Sequence, residues 1–343
     1  MAGDMRSLTL ADAVALHERL ALPLCPATLH PRYVAADAIR NPVLHPVYLG
    51  FEMQGECWMH ALHLTDVPGT DIRDGSSPYG YGGPLSSTND PAFLSAAWQA
   101  YVHWMLDQHV AVEYVRFHPV LGNEVLYGGH AVDNRQVVCV DLDAGDLVAG
   151  YAVRLRQTLK RAVDAGLLYE EYGDGLLARE FAAYHRAAMG EMQADAFYLF
   201  DDQYFEQLAA TGFAKLAVCR ASDAAADAGW LAAALFLDGA GTREYHLAAT
   251  TDQGRKLGAS SFVLAQAALR AREHGLRKLY LGGGTDARPD NPLLFFKSAY
   301  SPQRLAYRTG WTVFDHEAYD RLKERFPAQW SAHPERPIFY RKV

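Results

Sequence analysis

The same order of secondary structure is predicted twice along this chain, and this repeat constrains the fold more than any other feature. In the first half, β-type runs at 46–51 and 57–64 form a hairpin, and a glycine-rich loop leads to a helix and a strand at 110–117. Asp90 and Pro91 are a typical N-cap and first helical residue. The helix then presents one continuous apolar face made by Phe93, Ala96, Ala97, Ala100, Tyr101, Trp104 and Met105.

The second half repeats this order with different residues. β-type runs at 230–237 and 243–249 lie on either side of a glycine-bearing turn. A polar loop at 250–258 then precedes a helix at 259–274 and a strand at 277–281. Because the order of elements recurs while the residues do not, we predict a repeat of architecture. The fold class is α/β (α+β), with two tandem units that each contain a mixed, mostly antiparallel sheet flanked by helices.

Length and composition agree with this division. The chain has 343 residues, of which 50% are hydrophobic and 21% are charged, which is typical of a globular protein with two cores. We place the first unit at 1–155 and the second at 156–319, although no linker rich in Pro, Gly or Ser separates them. Nothing in the sequence indicates an oligomeric state.

The charge and the distribution of cysteines argue against several classes of protein. The net charge of −8 is not that of a general nucleic-acid binder. The four cysteines are dispersed, and neither they nor the histidines show the spacing of a metal site. No apolar run reaches the ~18 residues of a membrane helix, and the N-terminus lacks the pattern of a signal peptide. We therefore expect a cytoplasmic protein with buried thiols, no metal and no membrane span.

The stretch 276–301 carries the clearest functional signal. A short apolar run ends in three glycines, Gly282, Gly283 and Gly284, where the backbone can approach a ligand closely. An apolar run at 293–296 then precedes Lys297. A lysine in this setting either extends to solvent or is placed to meet negative charge. On pattern alone, ordinary globular structure explains the stretch equally well.

Two further features of the second half could bind an anion or transfer a proton. Arg255, Lys256 and Gly258 lie where the helix at 259–274 begins, and a helix N-terminus suits a phosphate. A helix start with two solvated basic residues is the alternative. His246 lies on the preceding strand and could take a proton from an attacking amine, although a lone strand histidine is more often a packed one.

The first half offers a candidate acceptor surface. Tyr79 and Tyr81 alternate with glycines in the loop SPYGYGGP, and Arg116, His118 and Asn123 follow the strand at 110–117. Tyrosines provide flat amphipathic surfaces, and an arginine can hold a phosphate or carboxylate bidentately. The alternative is that all five are architectural. A basic cluster, Arg154, Arg156, Lys160 and Arg161, is either a solvated helix surface or a contact for phosphates.

The motifs PYGYGGP, RFHP, YHL and LGGG followed by FK resemble those of FemABX-type peptidyltransferases and their acetyltransferase-like GNAT relatives. The resemblance spans about residues 44–320. It implies two tandem GNAT-like units, a C-terminal segment 320–343 that packs back onto the first, and an active-site role for Lys297. RKLGAS at 255–260 is also similar to the GNAT acyl-CoA motif, but Ser260 stands where that motif has Gly or Ala.

The resemblance implies an N-acyltransferase in which a neutral amine attacks an activated acyl group directly. Lys297 and His246 would act in catalysis. The donor would be a co-substrate, with no tightly bound cofactor. We favour aminoacyl-tRNA, which makes tRNA a partner, and we expect a cell-envelope or peptide-natural-product precursor as the acceptor. Acyl-CoA is the alternative donor. A non-catalytic protein that binds such a precursor on the same scaffold is the alternative of another class.

Overall fold

The computed structural model describes residues 3–173, 178–193, 195, 199–222 and 229–341. The chain forms two compact units. The first comprises Met1–Leu22, Thr28–Asn134 and Tyr307–Val343, and the second comprises Pro23–Ala27 and Arg135–Ala306. The boundary therefore lies at Asn134 and not near 155. The C-terminal segment lies in the first unit.

The strands are β1 (Arg6–Ser7), β2 (His45–Met53), β3 (Glu56–Asp66), β4 (Arg73–Ser76), β5 (Leu85–Ser86), β6 (Val110–Arg116), β7 (His130–Asp141), β8 (Leu167–Tyr172), β9 (Ala214–Ala221), β10 (Ala232–Gly239), β11 (Thr242–Thr250), β12 (Lys278–Gly283) and β13 (Arg304–Val313). The helices are α1 (Leu10–Leu20), α2 (Pro31–Ala38), α3 (Pro91–Asp107), α4 (Leu147–Gly150), α5 (Val153–Asp164), α6 (Ala178–Glu191), α7 (Asp202–Ala210), α8 (Asp252–Leu257), α9 (Ala259–Glu273), α10 (Pro292–Lys297), α11 (His316–Arg325) and α12 (Pro327–Ala332).

The sheet of the first unit has the order β1-β2-β3-β4-β6-β13, with β5 beside β3. β4 and β6 are parallel, and the other assigned pairs are antiparallel. α3 packs against this sheet through Phe93, Ala97, Tyr101 and Met105, every fourth residue of the predicted apolar face. Asp90 accepts a hydrogen bond from the amide of Phe93, as the N-cap prediction requires.

The C-terminal segment of the first unit is anchored by a buried charge. Asp74 on β4 is fully buried and accepts hydrogen bonds from Tyr340 and from the guanidinium of Arg341. Ile338 and Phe339 enter the same core as α11. Because a buried carboxylate without a partner is costly, this pairing holds the end of the described chain in place.

The sheet of the second unit has the order β7-β12-β11-β10-β9-β8. β11 and β12 are parallel, and the other pairs in this unit are antiparallel. α9 lies on this sheet and is the most deeply buried helix of the unit's described part, with eight buried residues. The predicted helix at 259–274 is therefore confirmed, as is the strand at 277–281.

The predicted loop at 250–258 is wrong in part, because it contains the short helix α8. The hydroxyl of Thr251 caps α8 by accepting a hydrogen bond from the amide of Gly254. Gly258 has a φ of +74° and separates α8 from α9. A Cβ there would lie 2.5 Å from Cγ2 of Thr158, so both conformation and space require glycine.

Candidate functional site

Two neighbouring strands of the second unit separate where the candidate site lies. β11 and β12 pair from Thr242 and Lys278 only as far as Glu244 and Tyr280, although β11 continues to Thr250 and β12 to Gly283. Beyond that point the facing edges of the two strands are not joined by the ladder. Backbone N–H and C=O groups along this opening therefore have no partner on the other of these two strands.

Each of the two strands carries a bulge at the point of separation. His246 is the extra residue on β11, because Leu235 faces Leu247 while the next residue of β10 faces Tyr245. Leu281 has the same position on β12, between Tyr280 and Gly282 in the register with β7. Since a β-bulge bends its strand and redirects side chains, the paired bulges explain why the strands diverge here.

Lys297 lies below this opening and not in bulk solvent. Its side chain is 7% exposed, and Nζ donates a hydrogen bond to the carbonyl oxygen of Gly283, 2.9 Å away. Nζ also lies 5.8 Å from the ring centroid of Tyr245. Burial lowers the pKa of Lys297 to about 8. An ammonium has three donors, so the bond to Gly283 leaves capacity for a developing negative charge.

Each of the three glycines lies where a side chain would crowd a neighbouring group. Gly282 has a φ of +76°, and a Cβ there would lie 3.3 Å from Nζ of Lys297. A Cβ on Gly284 would collide with Asn291, the buried N-cap of α10, at 2.4 Å. Asn291 also donates to Thr285 and Asp286. Gly282 and Gly284 are thus explained by the close packing of α10 beneath the end of β12, whereas a Cβ on Gly283 would lie 3.0 Å from the carbonyl oxygen of Gln136 on β7.

A cleft of about 620 Å³ opens beside these strands in the second unit. It is lined by Thr158 and Arg161 of α5, Tyr245 of β11, Arg255, Lys256 and Leu257 of α8, Gly258, Ser260 and Ser261 at the start of α9, and Leu293 and Phe296 of α10. No side chain caps the N-terminus of α9, because its N-cap residue is Gly258. The first amides of a 15-residue helix therefore border a cleft with basic walls.

The positive charges of this cleft are only partly compensated. Arg255 pairs with Asp252 and donates to the carbonyl of Thr250. Arg161 contacts only the hydroxyl of Thr158, and Lys256 has no carboxylate partner in the described part of the chain. Two exposed cations beside a helix N-terminus favour an anionic ligand, and a phosphate fits both features.

Ser260, which stands where the GNAT acyl-CoA motif has Gly or Ala, does not block the N-terminus of α9. Its hydroxyl lies 2.5 Å from that of Thr250, so the side chain is held against the end of β11. Ser260 still lines the cleft, but its oxygen is directed to a partner within the protein.

His246 does not take part in the contact between Lys297 and Tyr245, and its ring has another partner. Nε2 of His246 lies 3.0 Å from the hydroxyl of Tyr204 on α7. The ring of Tyr204 stacks on Phe200 with a centroid distance of 4.5 Å. His246 is half-buried and is not among the residues that line the cleft. Its catalytic role stays a prediction, and the hydroxyl of Tyr204 is within hydrogen-bond distance of its ring.

The basic residues of α5 differ in their relation to the cleft. Arg161 lines it, whereas Arg154 lies over the ring of Phe295 at 3.7 Å and donates to its carbonyl. Arg156 donates to the carbonyls of Ala149 and Tyr151. Of these three arginines, only Arg161 is therefore placed to meet an anion in the cleft.

In the first unit, the loop at 77–84 is held by the residues predicted to bind an acceptor. The guanidinium of Arg116 donates to the carbonyls of Ser77, Pro78 and Gly80. The buried amide of Asn123 donates to the carbonyls of Gly82 and Pro84 and accepts from the amide of His118. These bonds hold the loop in its conformation. They explain why the sequence has Arg116 and Asn123 together with this loop.

The two tyrosines of this loop remain half-buried. The backbone of Tyr79 is fixed by Asp37 and by the hydroxyl of Tyr33. The ring of Tyr81 contacts that of His118, which is fully buried, at a centroid distance of 4.7 Å. Contact of these rings with an acceptor stays a prediction.

Several features of the site were not predicted from sequence. Thr158 and Tyr204 lie outside every predicted motif, and Tyr245 lies in the YHL motif without a predicted role, because the contacts of all three are with residues distant along the chain. The parallel run of β11 and β12 and their two bulges also left no local signal. Within the described residues, no group of His, Cys, Asp and Glu side chains is placed to hold a metal ion. No described helix has the length and apolarity needed to cross a membrane.

No protein-family model and no curated protein matches this sequence. Solved structures do match its fold. The crystal structure of FemX matches with a TM-score of 0.70 at 14% identity, over 94% of this chain and 99% of that chain. The C-terminal domain of a putative lysylphosphatidylglycerol synthetase from Agrobacterium fabrum matches with a TM-score of 0.59 at 16% identity, over 98% and 100% of the two chains.

A tandem GNAT protein from the clavulanic acid biosynthesis pathway also matches, with a TM-score of 0.50 at 14% identity, over 90% of this chain and 98% of that chain. The chain therefore has the FemX-like fold with two GNAT-like units, as the motifs predicted. At these identities the likeness is one of fold.

Proposed function

We propose that this protein is an N-acyltransferase whose active site lies in the second unit, where β11 and β12 separate. The observation that carries the proposal is the position of the uncapped α9 N-terminus, which opens into a basic cleft beside that separation. The helix terminus and the cations suit the phosphates of a donor. The unjoined strand edges suit its acyl arm.

In the proposed reaction, a neutral amine nitrogen attacks the carbonyl carbon of the donor. The carbon–nitrogen bond forms, and the bond from carbon to the leaving oxygen or sulfur breaks. The amine proton passes to His246, and the leaving group takes up a proton. The ammonium of Lys297 stabilises the negative charge that develops on the carbonyl oxygen, because it is buried and already fixed by Gly283.

We favour aminoacyl-tRNA as the donor. The motif resemblance to FemABX-type enzymes and the FemX-like fold support this choice. Its acyl group is an ester of the terminal ribose, so the nearest phosphodiester would lie at the α9 N-terminus. Arg161 and Lys256 would then neutralise backbone phosphates.

Acyl-CoA is the second candidate donor, and one observation favours it. Gly258 and Ala259 leave the start of α9 open, and Ser260 is turned to Thr250 and does not cover it. A pyrophosphate would fit the same amides. In both cases we propose an amine of a cell-envelope or peptide-natural-product precursor as acceptor, in a cytoplasmic reaction.

Donor binding tests the proposal directly. The purified protein is titrated with acetyl-CoA and, separately, with a mixed aminoacyl-tRNA pool, and thermal stability and filter retention are measured. Uncharged tRNA and a Lys256→Ala, Arg161→Ala variant are the controls. We expect the charged pool to be retained and the double variant to lose retention.

Each outcome has a defined meaning. Stabilisation by acetyl-CoA without tRNA retention would identify the protein as an acyl-CoA enzyme. No response to either donor would contradict the proposed function and favour a protein that only binds a precursor.

A further inference from the structure

A second cleft, of about 500 Å³, lies in the first unit and has no part in the proposed transfer chemistry. Its lining residues are Tyr114 of β6, Val132 and Asn134 of β7, Thr309 and Trp311 of β13, and Glu335, Arg336, Pro337, Ile338 and Arg341 of the C-terminal segment. We name it the aromatic groove, after its two rings.

The floor of the aromatic groove is a cross-strand aromatic pair. Tyr114 and Trp311 are direct neighbours in the antiparallel register of β6 and β13, so their side chains lie on the same face. Both are half-buried. The ring of His130 stacks against Trp311 at a centroid distance of 5.4 Å and with planes 27° apart. The floor therefore presents two neighbouring aromatic rings with polar side chains beside them.

One wall of the groove is held in place by the core. Ile338 is buried, the carbonyl of Pro337 accepts a hydrogen bond from Tyr319, and Arg341 is paired with the buried Asp74. Because these bonds exist without a ligand, the wall is preformed, and a ligand would lose little free energy in ordering it.

Two classes of ligand do not fit this groove. An added peptide strand needs a free sheet edge, but β6 is hydrogen-bonded on both sides, to β4 and β13. A phosphate or nucleic acid needs uncompensated positive charge. Here Arg341 is paired with Asp74, and Arg336 lies 3.6 Å from Glu335.

A neutral ligand with one flat apolar face and several hydroxyl groups matches a lining of two aromatic rings beside polar side chains. The C–H face of a pyranose ring is complementary to Trp311 and Tyr114, since tryptophan and tyrosine combine an apolar body with a polar tip. Hydroxyls at the ring edge would find Glu335, Arg336 and Asn134 in the walls. We propose that the aromatic groove is a binding site for the sugar residues of a glycan or glycoconjugate.

Sugar binding is tested with N,N′-diacetylchitobiose and cellobiose as probes, by calorimetry and tryptophan fluorescence on the full chain. We expect millimolar affinity for at least one probe. Trp311→Leu should weaken it about tenfold, whereas Trp311→Phe, which retains a ring, should lose only about twofold. Trp104→Leu is the matched control, because it removes a half-buried tryptophan of α3 that does not line the groove.

Three results would overturn the inference. The first is no binding of either sugar by a folded wild-type protein. The second is equal affinity in wild type and Trp311→Leu, when circular dichroism shows that the variant is folded. The third is saturable binding of pentaalanine at the groove with no sugar response, which would indicate a peptide site. None of these results depends on acyl transfer.

Discussion

The ammonium of Lys297 and the carbonyl oxygen of Gly283 are joined by a hydrogen bond of 2.9 Å at the end of β12. This bond links a buried cation from α10 to the strand that borders the opening beside β11. It explains why a glycine-rich strand end and a lysine 14 residues later occur together. A Cβ on the preceding Gly282 would lie 3.3 Å from Nζ, so a side chain at that position would crowd the lysine.

Replacing Lys297 by Met should raise the stability of the protein at neutral pH. Burial lowers the pKa of Lys297 in the folded protein to about 8, below that of a lysine in water. Below that pH, the folded protein therefore holds a charged ammonium that is poorly solvated. Between about pH 8 and the unfolded pKa the unfolded chain binds more protons, and wild-type stability rises with pH. We expect the advantage of Lys297→Met to shrink by about 2 kcal/mol between about pH 7 and pH 9.5.

This difference is measured by urea denaturation at several pH values. Lys278→Met is the matched control, because Lys278 lies on the same unit but forms an ion pair with Asp141. An advantage of Lys297→Met that does not change with pH would contradict the assigned burial of the charge.

Turnover should fall above about pH 8 as Lys297 loses its proton. Lys297→Arg keeps the charge at high pH and should shift or remove this fall, at the cost of a lower rate, because a guanidinium has a different shape. The pH profiles of kcat for the two proteins are compared. Identical falls in both would show that another group titrates.

Removing a cation of the basic cleft should weaken donor binding. Lys256→Ala or Arg161→Ala should each raise KM for the donor about tenfold and leave kcat nearly unchanged, since both contact the donor equally before and during the reaction. Steady-state kinetics at two salt concentrations measure this. Arg270→Ala, at the opposite end of α9 and paired with Glu273, is the control and should have no effect.

His246 and Tyr204 should act as one unit. His246→Gln should lower kcat about 100-fold if the imidazole accepts the amine proton. Tyr204→Phe removes the hydroxyl 3.0 Å from Nε2 and should produce a smaller loss and a shifted pH profile. A His246→Gln variant with normal kcat would leave His246 a packing residue.

Arg116 should matter for stability more than for acceptor affinity. Arg116→Met leaves the carbonyls of Ser77, Pro78 and Gly80 without their donor and should cost about 1–3 kcal/mol. Thermal denaturation measures this loss of folding stability. The KM for the acceptor is measured at a temperature at which the variant is still folded. A large rise in KM with unchanged stability would support the predicted direct contact with acceptor.

The sequence alone determined the order of the elements and much of the chemistry of the second unit. Helix caps and apolar periodicity are local, so α3, α9 and the strands of both hairpins were predicted close to their observed bounds. The glycine triplet, Lys297 and the basic residues before α9 were found for the same reason, because motifs of neighbouring residues are visible in one dimension.

Only the tertiary structure decided which of these residues act together. In the folded chain, Lys297 contacts Gly283 and Tyr245, and His246 contacts Tyr204. Arg116 holds a loop through hydrogen bonds to its carbonyls. The tertiary structure also placed 135–155 in the second unit and created the two bulges that separate β11 from β12. Such contacts depend on strand register and on packing between residues far apart in sequence, and no local pattern encodes either.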